Sequence, residues 1–211
     1  MLSNVKQVLL VMAHAADETY VAGGLLAALD KSVKVTLYIA CYNDTHDIEA
    51  LPKALRVLHP HVEVLVGRHN THCLHEVPVH ELSTKIAAHI DYVKPDLLIT
   101  HCTGDTDPDH CAMNDAVITA CRIDRVNAHH PQLILGGEGP SSKSTTEGPN
   151  CLNCFMPLAD IQKKLRALSF YNTPPSPLIG SIANVDLTSR VRGGQCQSKY
   201  GEAYTLIRMS L

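Results

Sequence analysis

The stretch VLLVMAHAADETYVAGG, residues 8–24, decides the fold. An unbroken apolar run over residues 5–12 has the length and β-branching of a strand covered on both faces. It stops at His14. Two adjacent acids, Asp17 and Glu18, follow within four residues, and a glycine pair then opens a segment, residues 23–30, that reads as helix. A buried strand that ends in a histidine and an acid before turning into a helix is the edge at which open α/β sheets place their ligands.

Outward from this stretch, strand-like and helix-like segments alternate. Residues 33–41, 62–66 and 96–101 read as strands, and residues 47–58, 79–93 and 111–126 as helices. The helix over 79–93 stops before Pro95. The alternation predicts a Rossmann-like three-layer α/β sandwich with a mainly parallel sheet. Residues 127–157 differ. They are rich in Gly, Pro, Ser and Thr, notably GGEGPSSKSTTEGPN, and read as a loop or lid excursion within a single domain spanning 1–211. Residues 157–171 read as helix again, and YGEAYTLIRM, 200–209, as a closing strand.

Composition narrows the class. The formal charge of −3 lacks the basic excess of a nucleic-acid-binding surface. No apolar run approaches the ~18 residues needed to span a membrane, and the N-terminus does not read as a signal peptide. The eight cysteines are scattered through strand and helix patterns, so reduced thiols in a cytoplasmic protein are expected. Cys151 and Cys154 form a C-x-x-C without a second pair at zinc-finger spacing. Of the thirteen histidines, His59, His61, His69, His72, His75 and His80 lie in a polar stretch and read as surface or loop residues. A nucleotide-binding reading fails, because no G-x-G-x-x-G follows the first strand and no Walker sequence is present.

The chemistry concentrates at two places. His14 and Asp17 follow the first strand, and PDLLITHCTGDTDPDH, residues 95–110, brings His110 after the fourth. Both fall on one edge of the predicted sheet. Two histidines and a carboxylate are a donor set for catalytic zinc or another divalent ion with an open position. Each motif alone is also readable as a turn with an aspartate capping a helix, Asp17 in the first and the D-P-D-H acids in the second.

VLLVMAHAADETYVAGGLLA resembles the opening of the PIG-L/LmbE-type zinc-dependent N-deacetylases, whose first motif is A-H-P-D-D-E. PDLLITHCTGDTDPDH resembles their second motif, H-x-D-H. QKKLRALSFYNTP, 162–174, is similar to the family's Lys-containing helix, and KYGEAYTLIR, 199–208, to its closing A-E-A-F strand. The resemblance implies that His14, Asp17 and His110 ligate Zn2+, that Glu18 supports the first motif and that Asp109 orients a neighbouring group. It implies hydrolytic removal of an N-acetyl group from a small-molecule amino sugar or glycoconjugate; a homo-oligomer is left open.

Two positions depart from the family pattern. The expected general-base aspartate falls on Ala16, whose methyl group accepts no proton. The first histidine of H-x-D-H falls on Asp107. Three readings stay open: a base-deficient form of an active enzyme, a non-catalytic metal- and ligand-binding pseudo-enzyme, or proton transfer taken over by another carboxylate, with Asp107 best placed.

Overall fold

A computed structural model describes residues 2–42, 45–142, 151–171 and 180–210. The apolar run becomes β1 (Gln7–Met12), whose side chains alternate between the two faces of the sheet. Val8, Leu10 and Met12 enter one core, and Leu9, Val11 and Ala13 the other. A strand buried on both sides needs both sets apolar, hence the continuous run. β2 (Lys34–Ile39), β3 (Val62–Val66), β4 (Leu97–His101), β5 (Leu133–Gly137), β6 (Cys154–Leu158) and β7 (Tyr200–Met209) complete a seven-stranded sheet in the order β3-β2-β1-β4-β5-β7-β6. The first five strands in that order are parallel, and β7 runs antiparallel to both β5 and β6. At the centre, Leu10 pairs with Leu37 on one side and Ile99 on the other.

Helices cover both faces. α1 (Asp17–Ala28), α2 (Thr45–Leu58) and α5 (Gln162–Leu168) pack on the Val8/Leu10/Met12 face, and α3 (Val79–Val93) and α4 (Pro108–Ala120) on the other. α6 (Ile182–Gln195) lies against β7. This is the three-layer α/β arrangement expected from the sequence.

The differences have physical causes. The excursion read over 127–157 contains β5, a buried strand inside the sheet, and the start of β6; residues 143–150 lie outside the described residues. The run Leu133–Leu135 is too short to stand out among its Gly- and Pro-rich neighbours. Pro157 belongs to the edge strand β6, where a missing N–H is tolerated, rather than to a helix. α4 begins at Pro108 and ends at Ala120, and Ile123 and Val126, 83% and 86% exposed, have no core to enter. α6 escaped the sequence reading because its charged and small residues carry little apolar periodicity. All eight cysteines are free.

One network ties α5 and the last strand to α1. α1 breaks its helical geometry at Ala22 (φ −138°), so the turn starting at Gly23 has its own free N–H groups. The Glu202 carboxylate on β7 accepts from Gly24 N at 2.7 Å and Leu25 N at 2.8 Å. Lys164 on α5 donates to Glu202 at 2.7 Å and to the Tyr20 carbonyl released by the break, also 2.7 Å. A side chain at Gly24 would collide with Leu158 at 2.3 Å and Glu202 at 2.9 Å, which is why the helix opens on glycine. Both charges are almost fully buried. Removing one partner of such a pair costs about 3–5 kcal/mol. Lys164→Ala is therefore expected to lower the urea unfolding free energy by that amount; a loss below about 1 kcal/mol contradicts the role given to the pair.

Candidate metal centre

At the C-terminal edge of β1 the chain runs Ala13, His14, Ala15, Ala16 and turns into α1. Ala16 is the residue preceding the helix, with φ 77°, and its carbonyl accepts from Thr19 N and Tyr20 N. Asp17 folds back instead of capping the helix: its Oδ2 accepts from His14 N at 2.7 Å. That oxygen lies 3.6 Å from His14 Nδ1 and 3.4 Å from His110 Nε2. These separations are long for hydrogen bonds. They match ligands sharing one ion, since nitrogen and oxygen donors ~2.0–2.1 Å from a tetrahedral zinc lie roughly 3.3–3.4 Å apart.

Each imidazole is held from behind by a carboxylate. Asp109 Oδ2 accepts from His14 Nε2 at 2.9 Å, and Asp105 Oδ2 from His110 Nδ1 at 3.1 Å. A carboxylate acceptor places the proton on the nitrogen it faces. His14 Nδ1 and His110 Nε2 are left with lone pairs aimed toward Asp17, the carboxylate–histidine support typical of metal ligands. Asp109 is fully buried and also accepts from His72 N at 2.6 Å and Leu74 N at 2.9 Å.

The electrostatics ask for a cation. Burial alone would raise the Asp17 pKa, yet the imidazoles of His110 and His14 hold it well below the usual carboxylate range. Burial likewise disfavours a charged His110, but the bond to Asp105 and the nearness of Asp17 outweigh it and push His110 up to about 11. Two buried anions thus draw positive charge to this spot, as a proton on His110 or as a divalent ion. The set His14, Asp17 and His110, with ligand atoms mutually within 4.8 Å, could hold such an ion. The groupings His14–Cys41–Asp109 and His101–Asp105–His110 are equally compact, but their His–carboxylate pairs are already joined by hydrogen bonds.

The structure brings His14, Asp17, Asp109 and His110 together and gives Asp107 other work. Asp107 Oδ1 caps α4, accepting from Asp109 N at 2.8 Å and His110 N at 3.3 Å. Glu18 lies below the site, fully buried, held by Thr19 Oγ1 and Tyr171 OH; burial pushes its pKa up to about 7. Sequence reasoning missed Asp105, although it alternates with Asp107 and Asp109 in DTDPDH. It also missed His101, stacked on His110 with ring centroids 3.8 Å apart and accepting from Ala13 N at 3.0 Å. Burial and the neighbouring His110 charge push His101 down to about 3, so it stays neutral. His72 and His75 are exposed, in keeping with their reading as surface or loop residues, yet they flank Asp109; His59, read the same way, is only 2% exposed.

Beside the centre, a cavity of about 200 Å³ is lined by Tyr20, Gly139, Ser142, Asn184 and two ion pairs. Ser142 Oγ donates to Asp105 Oδ2 at 3.3 Å, so this cavity borders the site. Arg192 makes a two-pronged bond to Glu138, at 2.8 and 2.6 Å, and Lys164 is paired with Glu202. The charged groups of its wall are thereby balanced.

Fold and donor set define an α/β protein with a two-histidine, one-carboxylate centre at the edge of a parallel sheet. The chain belongs to the PIG-L family, described as GlcNAc-PI de-N-acetylase, whose model matches residues 9–121. That span runs from β1 through α4 and contains both motifs. Among solved structures, the chain is similar to an N,N'-diacetylchitobiose deacetylase from Pyrococcus horikoshii in complex with an inhibitor, at 14% identity and TM-score 0.78, covering 98% of this chain and 85% of that one. It is also similar to a 4-carboxy-2-hydroxymuconate hydratase from Pseudomonas putida, at 15% identity and TM-score 0.72, covering 98% of each chain. The zinc-inhibited form of a teicoplanin deacetylase aligns at 20% identity and TM-score 0.65, over 94% of this chain and 96% of that one. At these identities the likeness concerns the fold. No curated protein matches the chain significantly.

The left-handed backbone at Ala16 carries its own prediction. An L-residue in that conformation is strained by about 1–2 kcal/mol, glycine is not, and aspartate or asparagine visits it most readily among the others. Ala16→Gly is expected to raise the unfolding free energy by about 0.5–1 kcal/mol in urea titrations, after the entropy cost of glycine. A destabilised Ala16→Gly protein contradicts the left-handed turn.

Proposed function

We propose that the chain is a metal-dependent N-deacetylase, cleaving the N-acetyl group of an amino-sugar-bearing small molecule, with zinc held by His14, Asp17 and His110. The observation that carries this is the convergence of His14 Nδ1 and His110 Nε2 on Asp17 Oδ2, each imidazole backed by its own carboxylate. The family description supports the reaction class. Two of the three solved neighbours named above are deacetylases, one of N,N'-diacetylchitobiose and one in a zinc-inhibited form. The charge-balanced cavity beside Asp105 suits a neutral, hydroxylated ligand.

When bound, the cation supplies Lewis acidity, polarising an amide carbonyl and making water acidic near neutral pH. Asp105 and Asp109 fix which imidazole nitrogens face it. Hydrolysis breaks the amide C–N bond, forms a C–O bond to the oxygen of water, and leaves acetate and an amine that takes up a proton. The proton traffic needs an acceptor at the open face, and Ala16 offers none. A carboxylate at position 16 would extend from the turn that carries Asp17.

A second reading, a pseudo-enzyme that binds metal and ligand without cleaving, is favoured by Ala16 together with the commitment of Asp107 to capping. The hydratase among the similar structures is a reminder that one fold carries more than one reaction.

Metal analysis and amine release separate these. His110→Ala is expected to strip the bound zinc, and Asp105→Ala to weaken it about 10–100-fold; near-stoichiometric zinc in His110→Ala overturns the ligand set. Screened against N-acetylated amino sugars, Ala16→Asp is expected to exceed the chain as written by about 10²–10⁴-fold at unchanged metal content. Fast turnover by the chain as written, abolished in Asp107→Ala, makes Asp107 the base instead. Absence of cleavage by both chains of a sugar that both bind establishes the pseudo-enzyme reading.

A further inference from the structure

The loop after β3 was built to the functional edge, though its sequence, GRHNTHCLHE over residues 67–76, reads as polar surface. Gly67 N and His69 N donate to the carbonyls of Ile39 and Ala40, at the end of β2. Cys41 Sγ donates to the Asn70 carbonyl at 3.4 Å. Asp109 grips the loop at two adjacent points, His72 N and Leu74 N, with both carboxylate oxygens. The oxygen that accepts from His72 N is the one that accepts from His14 Nε2.

This grip turns His72 toward the centre. Its backbone sits at φ 65°, a conformation few residues other than glycine adopt and one that gathers at functional sites. Its ring lies 6.1 Å, centroid to centroid, from the ring of His14. The side chain is exposed, and among the described residues its ring nitrogens have no hydrogen-bond partner. His101 and His110 are buried, Asp107 caps α4, and the side chain of Ala16 has no polar atom. His75 stands on the far oxygen of Asp109, its Nδ1 3.8 Å from Oδ1, with no ring contact to His14.

Amide hydrolysis builds negative charge on the carbonyl oxygen, and a preorganised donor aimed at that charge is usually a large term in catalysis. An imidazole carries at least one N–H in either protonation state, so the role asks for no particular pKa. We propose that His72 is a catalytic residue of this site, its ring N–H donating to the acyl oxygen of the substrate beside His14. The assignment rests on the deacetylase reading above.

Acetate, the product and a stable mimic of the oxygen's charge, tests it apart from turnover. Calorimetric titration of sodium acetate into the zinc-loaded chain is expected to show His72→Ala binding about 10–100-fold more weakly, the loss expected for one bond to a charged group. His72→Gln, which keeps a donor, should stay within about threefold, and His75→Ala should match the parent, all with full zinc. In the Ala16→Asp background, His72→Ala should lower kcat by about 10²–10³ with little change in KM. The proposal is overturned by acetate affinity unchanged in His72→Ala, by an equal loss in His75→Ala, by failure of the parent to bind acetate, or by loss of zinc from His72→Ala. Absence of turnover in every chain, with acetate binding that still depends on His72, overturns the hydrolase reading and leaves the donor assignment standing.

Discussion

The carboxylate of Asp109 is the constraint on which the site depends. It is fully buried, and an anion in that position persists only if hydrogen bonds replace the water it has lost. Three donors do so: His14 Nε2 at the end of β1, and the backbone N–H groups of His72 and Leu74 in the loop after β3. One residue near the start of α4 thereby orients a prospective metal ligand and folds a loop over the sheet edge. The left-handed backbone at His72 and the ring contact between His14 and His72 both follow from that anchoring.

Around this anchor the charges sort into layers. The inner anions, Asp17 and Asp105, favour positive charge at His110. His101, stacked against His110, stays neutral because burial and the adjacent charge both disfavour its proton. Farther out, the pairs Lys164–Glu202 and Arg192–Glu138 neutralise the cavity wall. Lys164 and Glu202 also repair the break in α1 at Ala22, so the helix that carries Asp17 is steadied by residues from α5 and the last strand. This explains physically why the lysine-bearing helix and the A-E-A strand accompany the first histidine–aspartate motif: they meet under the helix that follows it. Among the described residues no helix is long and apolar enough to cross a membrane.

Much of this was legible in the sequence. The two-faced apolar run and the strand–helix alternation led to the parallel sheet, and the placing of His14 after β1 and His110 after β4 put both on one edge of it. Elements with strong local signals, such as α3 and β3, fall where periodicity puts them. Weak local signals misled. β5 hides in a glycine-rich stretch because three apolar residues flanked by turn formers look like loop, and α6 hides because its packing face is made of small and charged residues.

What the sequence by itself determined is the set of chemical groups and their order: an edge of sheet bearing His14, Asp17 and His110, and a methyl group at position 16. Only the tertiary structure decided which other groups join them. His14 and Asp109 are 95 positions apart, and Ala13 and His101 are 88 apart, so no local pattern announces either bond. Six histidines in one polar stretch look alike in a string of letters. In the fold, His59 is buried against the carbonyls of Asp30 and His61, whereas His72 stands against His14 and His75 beside Asp109, because that one buried carboxylate required partners and the loop after β3 supplied them.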